Sequence, residues 1–356
     1  MAHQIIRNVE VVGIATCVPS TIEENISQPF FKEGEAEKVI ASTGIERRRI
    51  APSEVTASDL CYTAAAKLLA ETGWAPQDID CLIFVSQSQD YIMPATACIL
   101  QHRLGLPVTC CAFDLSYGCS GWVYGMSVAA SMLAAGTMKK VLLLVGDTPS
   151  KFKSRKDKTA WPLFGDAGTA TALQYQEGAP DMFFSLFVDG SKYESIIIRD
   201  GGCRHPFSAS SLEETEIEEG IVRRPLDSVM NGMDVFSFGL KRAPEVVNDV
   251  LALSQHEVGE PDYFFFHQAN MFMNEKIRKK LGIPAEKVPY SMKDYGNTSC
   301  ATIPLTINAT FASADELKGK TVVGTAFGVG LSWGSVLLTF NNLKHLSLTE
   351  YDEKSI

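Results

Sequence analysis

The chain has 356 residues and a formal net charge of −10, and 46% of its residues are hydrophobic against 21% that are charged. This balance is that of a folded globular protein, and the length allows either one large core or two fused lobes of about 150 to 180 residues each. The negative charge argues against nucleic acid or an anionic membrane as a partner.

The nine cysteines predict neither a disulfide framework nor a zinc site, because their number is odd and no CxxC pair occurs. Free cysteines inside apolar runs usually pack as small hydrophobic side chains. The first residues lack the basic and apolar pattern of a leader, and no apolar stretch is long enough to span a membrane. We therefore expect a cytoplasmic protein without a metal site.

Short aliphatic and β-branched runs alternate with longer helical patterns, which predicts an α/β fold. The predicted strands are residues 9–15, 81–86, 110–115, 141–145, 170–175, 195–199, 263–267, 321–326 and 335–340. The predicted helices are residues 58–72, 121–135 and 243–253. The helix at 121–135 is almost entirely apolar and small, so we expect it to be buried on all sides.

Each half of the sequence ends with a strand, a glycine-rich turn and a returning strand, with the turns near residues 164–168 and 328–330. This repetition predicts two related lobes, residues 1–176 and 177–345, packed face to face and followed by a tail at 346–356. Residues 201–224 are rich in Gly, Ser and Glu. They predict a surface excursion, either a lid or a mobile loop.

Cys119 lies in the segment DLSYGCSGW, between a short predicted strand and the start of the apolar helix. Unpaired N–H groups and the positive end of the helix dipole stabilise a thiolate there. The pattern therefore predicts a lowered pKa for the Cys119 thiol and a nucleophilic role. The alternative is one more buried structural cysteine.

Two further polar residues stand in apolar or glycine-bearing contexts. His267 ends the run YFFFH, at the carboxyl end of a predicted strand, where α/β folds place their sites. Asn297 lies between Gly296 and Thr298 in a predicted turn. Each has a structural alternative, a core histidine or a turn asparagine that bonds its own backbone. Taken singly, neither residue identifies a function.

Together these segments resemble the β-ketoacyl-acyl carrier protein synthase III family of the thiolase superfamily. The family's motifs are a Cys after D-x-x-x-x, HQAN, GNTS and a terminal G-x-G-x-S-W-G, and all occur here in the family's order. Further matches are residues 43–48, 94–98 and 164–168, so the resemblance covers about residues 9–340. It implies a thiolase-like fold, with two related βαβαβαββ lobes in a five-layer αβαβα arrangement.

The resemblance implies that Cys119 attacks an acyl thioester and holds the acyl group as a covalent intermediate. The N–H of Cys119 and one from the glycine loop would form the oxyanion hole for this step. That loop comprises Gly328, Val329 and Gly330.

His267 and Asn297 would then donate hydrogen bonds to the carbonyl of a malonyl thioester as carbon dioxide leaves. Degradative thiolases use a second Cys as base and hydroxymethylglutaryl synthases add a Glu, whereas the Cys, His and Asn set matches decarboxylative condensation. The resemblance thus implies fatty acid or specialised polyketide or lipid biosynthesis. The substrates would be coenzyme A or carrier-protein thioesters, and no metal or other cofactor is implied.

Positions that bind substrate depart from the family's pattern. The best studied members clamp the adenine of coenzyme A with a Trp and two Arg, where this chain has Lys38, Ser42 and Lys158. The aromatic clamp is missing, although Lys38 and Lys158 would still meet phosphates as point charges. The choice between coenzyme A and a carrier protein as acyl donor therefore stays open.

The resemblance also implies an acyl carrier protein as partner and a homodimer. Lys279 and Lys280 are retained for carrier docking, whereas the Arg that follows the HQAN motif in relatives is Phe272 here. The basic clusters at 151–158 and 276–280 either dock an acidic carrier or are solvated surface. Met93 replaces a bulky Phe that the dimer partner contributes, which predicts an acyl tunnel open to longer or unusual chains.

Cys300, close to Asn297, replaces a residue that is commonly Ser in the family, and we interpret it as a packing residue. Two other functions stay open. An acyltransferase would keep Cys119 and His267 but pass the acyl group to an alcohol or amine, without release of carbon dioxide. An inactive partner subunit predicts a lost nucleophile, and the intact residues argue against it.

Overall fold

The computed structural model describes residues 2–352. The strands are β1 (His3–Ile6), β2 (Val9–Val18), β3 (Ile22–Glu24), β4 (Arg47–Arg49), β5 (Cys81–Val85), β6 (Cys111–Leu115), β7 (Lys140–Asp147), β8 (Ala167–Tyr175), β9 (Met182–Val188), β10 (Ile196–Ile197), β11 (Thr215–Glu218), β12 (Ile221–Arg223), β13 (Val229–Met230), β14 (Tyr263–Phe266), β15 (Thr321–Gly328), β16 (Ser332–Thr339) and β17 (His345–Glu350). The helices are α1 (Glu35–Thr43), α2 (Ala57–Thr72), α3 (Thr96–Arg103), α4 (Gly121–Ala134), α5 (Gly232–Ser254), α6 (Met271–Leu281), α7 (Met292–Tyr295) and α8 (Thr302–Thr310).

Two mixed sheets carry the fold. The first has the order β17-β2-β8-β7-β5-β6 and the second β1-β9-β16-β15-β14. In the first sheet β5 and β7 are parallel, and β8 runs antiparallel to β7 and β2. In the second sheet β14 and β15 are parallel, and β16 runs antiparallel to β15 and β9. The shared arrangement confirms the predicted pair of related lobes, although the second sheet has no strand that corresponds to β6 among the described residues.

Alternating side chains in the strands separate the layers of the core. In β7, Val141, Leu143 and Val145 pack against α4, whereas Leu142 and Leu144 pack on the opposite face with α2 and α3. Successive side chains of a strand point to opposite faces of the sheet. A continuous apolar run is therefore what a strand covered on both faces requires.

The second sheet is covered in the same way. Phe264 and Phe266 of β14 pack with α5 and α6, whereas Phe265 points into the core between the two sheets. That central core holds Trp122 of α4 and Ile303 of α8. The helices α4 and α8 therefore form the middle of five layers, which confirms the predicted αβαβα arrangement. Within residues 2–352, no helix combines the length and apolarity needed to cross a membrane.

The strand predicted at 195–199 is confirmed only in part. Only the two residues of β10 are extended there, and they pair with β13 outside both large sheets. The three isoleucines of this run line a cavity instead, which explains their apolar character. The strand that the second sheet uses in this part of the chain is β9.

The chain ends also differ from the prediction. Residues 346–350 of the predicted tail, together with His345, form β17, which pairs in parallel with β2 of the first sheet, and residues 353–356 of that tail lie outside the described residues. At the other end, β1 pairs with β9 of the second sheet. Each end thus adds an edge strand to the sheet built mainly from the other half of the sequence.

The predicted excursion at 201–224 carries a hairpin of β11 and β12. The hairpin is bonded to the loop that follows β7, because Arg223 Nε lies 2.6 Å from Asp157 Oδ2 and Lys158 N donates to Gly220 O at 3.0 Å. Most side chains of the excursion are exposed. The excursion is therefore a surface element that packs against the loop after β7.

Arg48 connects the ribbon of β3 and β4 to the chain around residue 164. Its fully buried guanidinium donates to Asn25 Oδ1 at 3.0 Å, to Trp161 O at 2.6 Å and to Glu23 Oε2 at 3.1 Å. The carbonyl of Phe164 accepts a further hydrogen bond at 3.2 Å. Only an arginine has enough donors in a fixed geometry to satisfy these acceptors together.

Candidate active site

Cys119 lies between β6 and α4, where the two lobes meet. The adjacent Ser120 hydroxyl lies 2.7 Å from the hydroxyl of Ser332 in β16. Gly328 at the end of β15 comes so close that a Cβ built on it would lie 2.6 Å from Cys119 Cβ and 2.7 Å from Sγ. Only glycine leaves room for the thiol. Both lobes therefore shape the surroundings of Cys119.

The electrostatic surroundings of Cys119 differ from the prediction. Burial raises the pKa of the Cys119 thiol to about 11, and Asp147 adds to the rise, whereas the Val329 N–H, the Ser299 hydroxyl and Lys153 lower it in part. The predicted lowering of this pKa is therefore wrong, because the loss of water around the thiolate outweighs the favourable groups. At neutral pH the residue is a thiol that must lose its proton as it attacks.

His267 follows β14, as predicted, and is buried. Its Nδ1 lies 2.9 Å from Thr302 Oγ1, and its backbone N–H donates to Thr325 O at 2.8 Å. Phe327 packs edge-on against the ring, with the centroids 5.8 Å apart. Burial lowers the pKa of His267 to about 3, so the imidazole is neutral at physiological pH. A neutral imidazole offers one nitrogen that donates and one that accepts.

Asn297 is held by hydrogen bonds on its backbone and its side chain. Its N–H donates to Leu163 O at 2.8 Å, its carbonyl accepts from Gly165 N at 3.1 Å, and Oδ1 accepts from Ser299 N at 2.9 Å. Because Oδ1 is engaged, the Nδ2 end of the amide is oriented as the donor. The preceding Gly296 has φ of 63° and a Cβ there would lie 2.8 Å from Leu163 O, so this turn requires glycine.

One cavity of about 580 Å³ brings the predicted groups together. Its lining includes Cys119, His267 and Asn297, together with Gly328 and Val329 of the glycine loop. Gly330 is the next residue beyond that lining, with φ of 137°. The structure thus gathers a thiol, an imidazole and an amide from segments that are far apart in sequence.

Asp147, at the end of β7, also lines this cavity. Its Oδ1 accepts from Ser86 Oγ at 2.9 Å and from Gln87 N at 2.8 Å, and its Oδ2 lies 3.2 Å from Cys300 Sγ. Cys300 is buried in the central core, where its Cβ would contact a Cβ built on Gly121. Cys300 therefore packs and also donates a weak hydrogen bond to the carboxylate.

Ser299 and Lys153 are among the lining residues that were not predicted as site residues from the sequence. Ser299 has φ of 53°, which is uncommon for a residue other than glycine, and it belongs to the GNTS motif that would have pointed to it. In the sequence Lys153 stands only within the basic cluster at 151–158, for which carrier docking and solvated surface are the two interpretations. It is 6% exposed, its Nζ donates to Ser228 Oγ at 2.7 Å, and it lies 4.2 Å from the centroid of the Phe164 ring.

Lys38 and Lys158 line a second cavity of about 380 Å³. Thr159 and Leu163 line both cavities, so the second adjoins the first. Phe31 places an aromatic ring in the second cavity, ahead of α1 and away from the position where the family pattern has its Trp. The aromatic character of this cleft was therefore missed at the sequence level.

The remaining predicted positions lie outside both cavities. Lys279 and Lys280 are exposed on α6, where Lys279 Nζ lies 3.9 Å from Glu275 Oε2 and Lys280 Nζ donates to Leu240 O at 3.2 Å. Met93 is 81% exposed and does not line the cavity of its own chain. Its place in an acyl tunnel across a dimer stays a prediction.

Two family models match the chain. The model described as 3-oxoacyl-[acyl-carrier-protein (ACP)] synthase III matches residues 113–190, and the model for the C-terminal part of the same family matches residues 251–340. The first match contains Cys119, and the second contains His267, Asn297 and the glycine loop.

Individual relatives match over almost the whole chain. A β-ketoacyl-[acyl-carrier-protein] synthase III of Desulfitobacterium hafniense (strain Y51) is 32% identical over 335 residues, which cover 94% of this chain and 98% of that protein. The crystal structure of a 3-oxoacyl-(acyl-carrier protein) synthase from Burkholderia xenovorans LB400 is 38% identical, with a TM-score of 0.91 and coverage of 98% and 99%. The priming β-ketosynthase of the R1128 polyketide pathway, at 24% identity and a TM-score of 0.80, shares the fold over 94% of this chain and 97% of that one.

Proposed function

Because this chain belongs to the β-ketoacyl-[acyl-carrier-protein] synthase III family, we propose that it condenses an acyl thioester with a malonyl thioester through an acyl–Cys119 intermediate, with loss of carbon dioxide. The observation that carries the proposal is the single cavity lined by Cys119, His267 and Asn297. A nucleophile and two hydrogen-bond donors are the groups that this reaction requires.

In the first half-reaction the sulfur of Cys119 attacks the carbonyl carbon of the acyl donor. Since burial keeps the thiol protonated, its proton has to leave as the new C–S bond forms, and neutral His267 is the base in the same cavity. The N–H groups of Cys119 and Val329 would stabilise the oxyanion. The C–S bond of the donor then breaks, and the carrier thiol leaves with the proton.

In the second half-reaction the carbonyl of the malonyl thioester would accept hydrogen bonds from Asn297 Nδ2 and His267 Nε2. The Thr302 hydroxyl donates to Ser299 O at 3.1 Å, so its 2.9 Å contact with Nδ1 does not fix the tautomer, and His267 is the donor in this step in the tautomer that carries its proton on Nε2. As carbon dioxide departs, charge moves onto the carbonyl oxygen that these donors face. The resulting enolate carbon attacks the acyl carbonyl, and the Cys119 thiolate leaves and takes up a proton.

Transfer of the acyl group to an alcohol or amine is not favoured. That reaction needs a base placed on the acceptor and has no use for a second donor at an enolate oxygen. The amide of Asn297, oriented by the Ser299 N–H at 2.9 Å, is such a donor. Carbon dioxide release from the malonyl thioester distinguishes the two reactions directly.

The proposal extends to the carriers and the assembly. The second cavity, with Lys38 and Lys158 at its wall, is suited to the phosphate-bearing arm of coenzyme A or a carrier protein. Exposed Lys279 and Lys280 on α6 would meet an acidic carrier. We also propose that the protein is a cytoplasmic homodimer. The reaction needs no metal or redox cofactor, since neither half-reaction involves a change of oxidation state at the protein.

The experiment is acyl transfer from a panel of acyl-pantetheine thioesters, read by the mass of the intact chain. The wild-type protein should gain one acyl group, and Cys119→Ala should gain none. Malonyl-pantetheine added to the loaded enzyme should then release carbon dioxide and a β-ketoacyl product. An adduct that persists in Cys119→Ala, or product without release of carbon dioxide, would refute the proposed mechanism.

A further inference from the structure

Lys153 is a buried amine in the wall of the catalytic cavity, and neither half-reaction assigns it a contact with substrate, although its charge partly lowers the pKa of the Cys119 thiol. It lies in the loop after β7, lines the same cavity as Cys119, and is 6% exposed. The Nζ atom donates to Ser228 Oγ at 2.7 Å and lies over the ring of Phe164 at 4.2 Å. A cation in this position requires an explanation, because lysine is rarely buried without a charged partner.

The described part of the chain places no carboxylate in a direct ion pair with this amine. Within residues 2–352, no carboxylate lies within 4.0 Å of the Lys153 amine. The acidic groups around it are already paired, Asp157 with Arg223 at 2.6 Å and Asp227 with Arg224 at 2.7 Å. An ammonium group has three N–H donors, and a buried cation without an anion is costly. The remaining donors of Lys153 therefore suit an anion that enters the cavity.

The part of the cavity wall next to Lys153 indicates what kind of ligand would carry that anion. The ladder of β10 and β13 supplies Ile196, Ile197 and Met230 to the lining, and Ser228 directly precedes β13. Methylene groups of a ligand would pack against this apolar wall, and a charged end would reach the Lys153 and Ser228 pair. A ligand with a thioester at one end and an anion at the other combines both features.

We propose that Lys153 and Ser228 bind a carboxylate on the acyl donor, so that the group loaded on Cys119 is a short carboxyacyl chain. The inference rests on the proposed function and specifies its substrate class. In the loading step the Cys119 sulfur forms the new C–S bond and the carrier sulfur leaves with the thiol proton. The distal carboxylate keeps its charge and its hydrogen bonds throughout.

The malonyl unit is the other source of a carboxylate in this cavity. A cation that held the malonyl carboxylate would stabilise the reactant more than the transition state, because the negative charge moves off that group as carbon dioxide forms. Such binding would slow the decarboxylation. A donor carboxylate takes no part in bond changes, so binding it carries no such cost.

The test compares succinyl-pantetheine with butyryl-pantetheine, whose acyl chains have the same number of carbons. Intact-mass measurements would give the loading rate of the full chain for each. The wild-type protein should favour succinyl by about 10- to 100-fold, the range expected for a charged hydrogen bond. Lys153→Met should lose that preference. Loading of both thioesters should slow together, because the charge that partly lowers the pKa of the Cys119 thiol is removed, so the succinyl-to-butyryl ratio is the measure and urea unfolding shows that the variant is folded. Lys153→Arg should keep the preference, as should Lys151→Met, which changes an exposed neighbour.

Several results would overturn the inference. The inference is overturned if the wild-type protein loads butyryl as fast as succinyl or faster, and if glutaryl and adipyl thioesters also load no faster than butyryl. An unchanged ratio in Lys153→Met would overturn it as well. If that variant instead raised KM for malonyl-pantetheine on the butyryl-loaded enzyme, the lysine would bind the extender. Loading without discrimination would leave the proposed function intact, whereas no loading of Cys119 by any thioester would overturn both.

Discussion

A methyl group at residue 328 tests whether the glycine loop sets the position of the nucleophile. In Gly328→Ala the new Cβ would lie 2.6 Å from Cys119 Cβ and 2.7 Å from Sγ, against 3.4 Å for the start of ordinary van der Waals contact. The methyl group is therefore 0.8 Å and 0.7 Å too close. Either Cys119 or the loop must move, and both carry groups that the loading step requires.

The expected effect is larger on catalysis than on stability. Overpacking of this size costs about 1 to 3 kcal/mol of the free energy of unfolding. A displacement approaching 1 Å at a reacting atom costs about 100-fold in rate. We therefore expect Gly328→Ala to fold, to unfold at moderately lower urea concentration, and to load acyl groups on Cys119 about 100-fold more slowly.

The assay is intact-mass measurement of acyl loading from an acyl-pantetheine thioester, with urea unfolding followed in parallel. Gly259→Ala is the matched control, because its added Cβ meets nothing within 4 Å and its backbone is outside the left-handed region. The control should load at the wild-type rate. A Gly328→Ala protein that loads within about twofold of the wild type would show that the loop adapts, and the reasoning from this contact would be wrong.

Three further predictions concern the residues of the catalytic cavity and the buried Arg48. Alkylation of Cys119 by iodoacetamide should rise about tenfold per pH unit from about pH 7 to about pH 9, because a thiol pKa of about 11 lets the thiolate fraction grow over that whole range. His267, whose pKa is about 3, should add no inflection near neutral pH, and a plateau in the mass-spectrometric rates below about pH 8 would contradict both assignments. Asn297→Ala should lower carbon dioxide release by about 100- to 1000-fold with little change in acyl loading, whereas an equal loss of both activities would indicate a structural role. Arg48→Met should lower the free energy of unfolding in urea by about 3 to 5 kcal/mol, since buried acceptors lose their donor. Arg47→Met should change it by less than about 1 kcal/mol because that side chain is 39% exposed, and similar losses in both variants would refute the argument.

Much of the fold was predictable because its strands are covered on both faces. The runs that form β5 and β14, and residues 141–145 of β7, are apolar without interruption, so the sequence pattern identifies them directly. His267 was predictable for the same reason, as the first polar residue after such a run. Asn297 depended on a motif, since nothing in a turn asparagine by itself indicates that its amide is oriented toward a cavity.

Other features depend on contacts that no local pattern contains. The raised pKa of Cys119 comes from burial at the junction of two lobes, which outweighs the helix end that the sequence does show. Lys153 meets Ser228 across 75 positions of sequence, so its burial is invisible in a run of basic residues. The isoleucines of 195–199 have the composition of a sheet strand, although the surface that they cover is a cavity wall.

The exchange of edge strands makes the two halves of the sequence inseparable. β17 covers the edge of β2, and β1 covers the edge of β9, so a cut between the halves would leave both sheets with an unpaired backbone edge. Open edges of this kind promote aggregation. The smallest part of this chain that can evolve, be fused or be transplanted as a stable unit is therefore the complete pair of lobes.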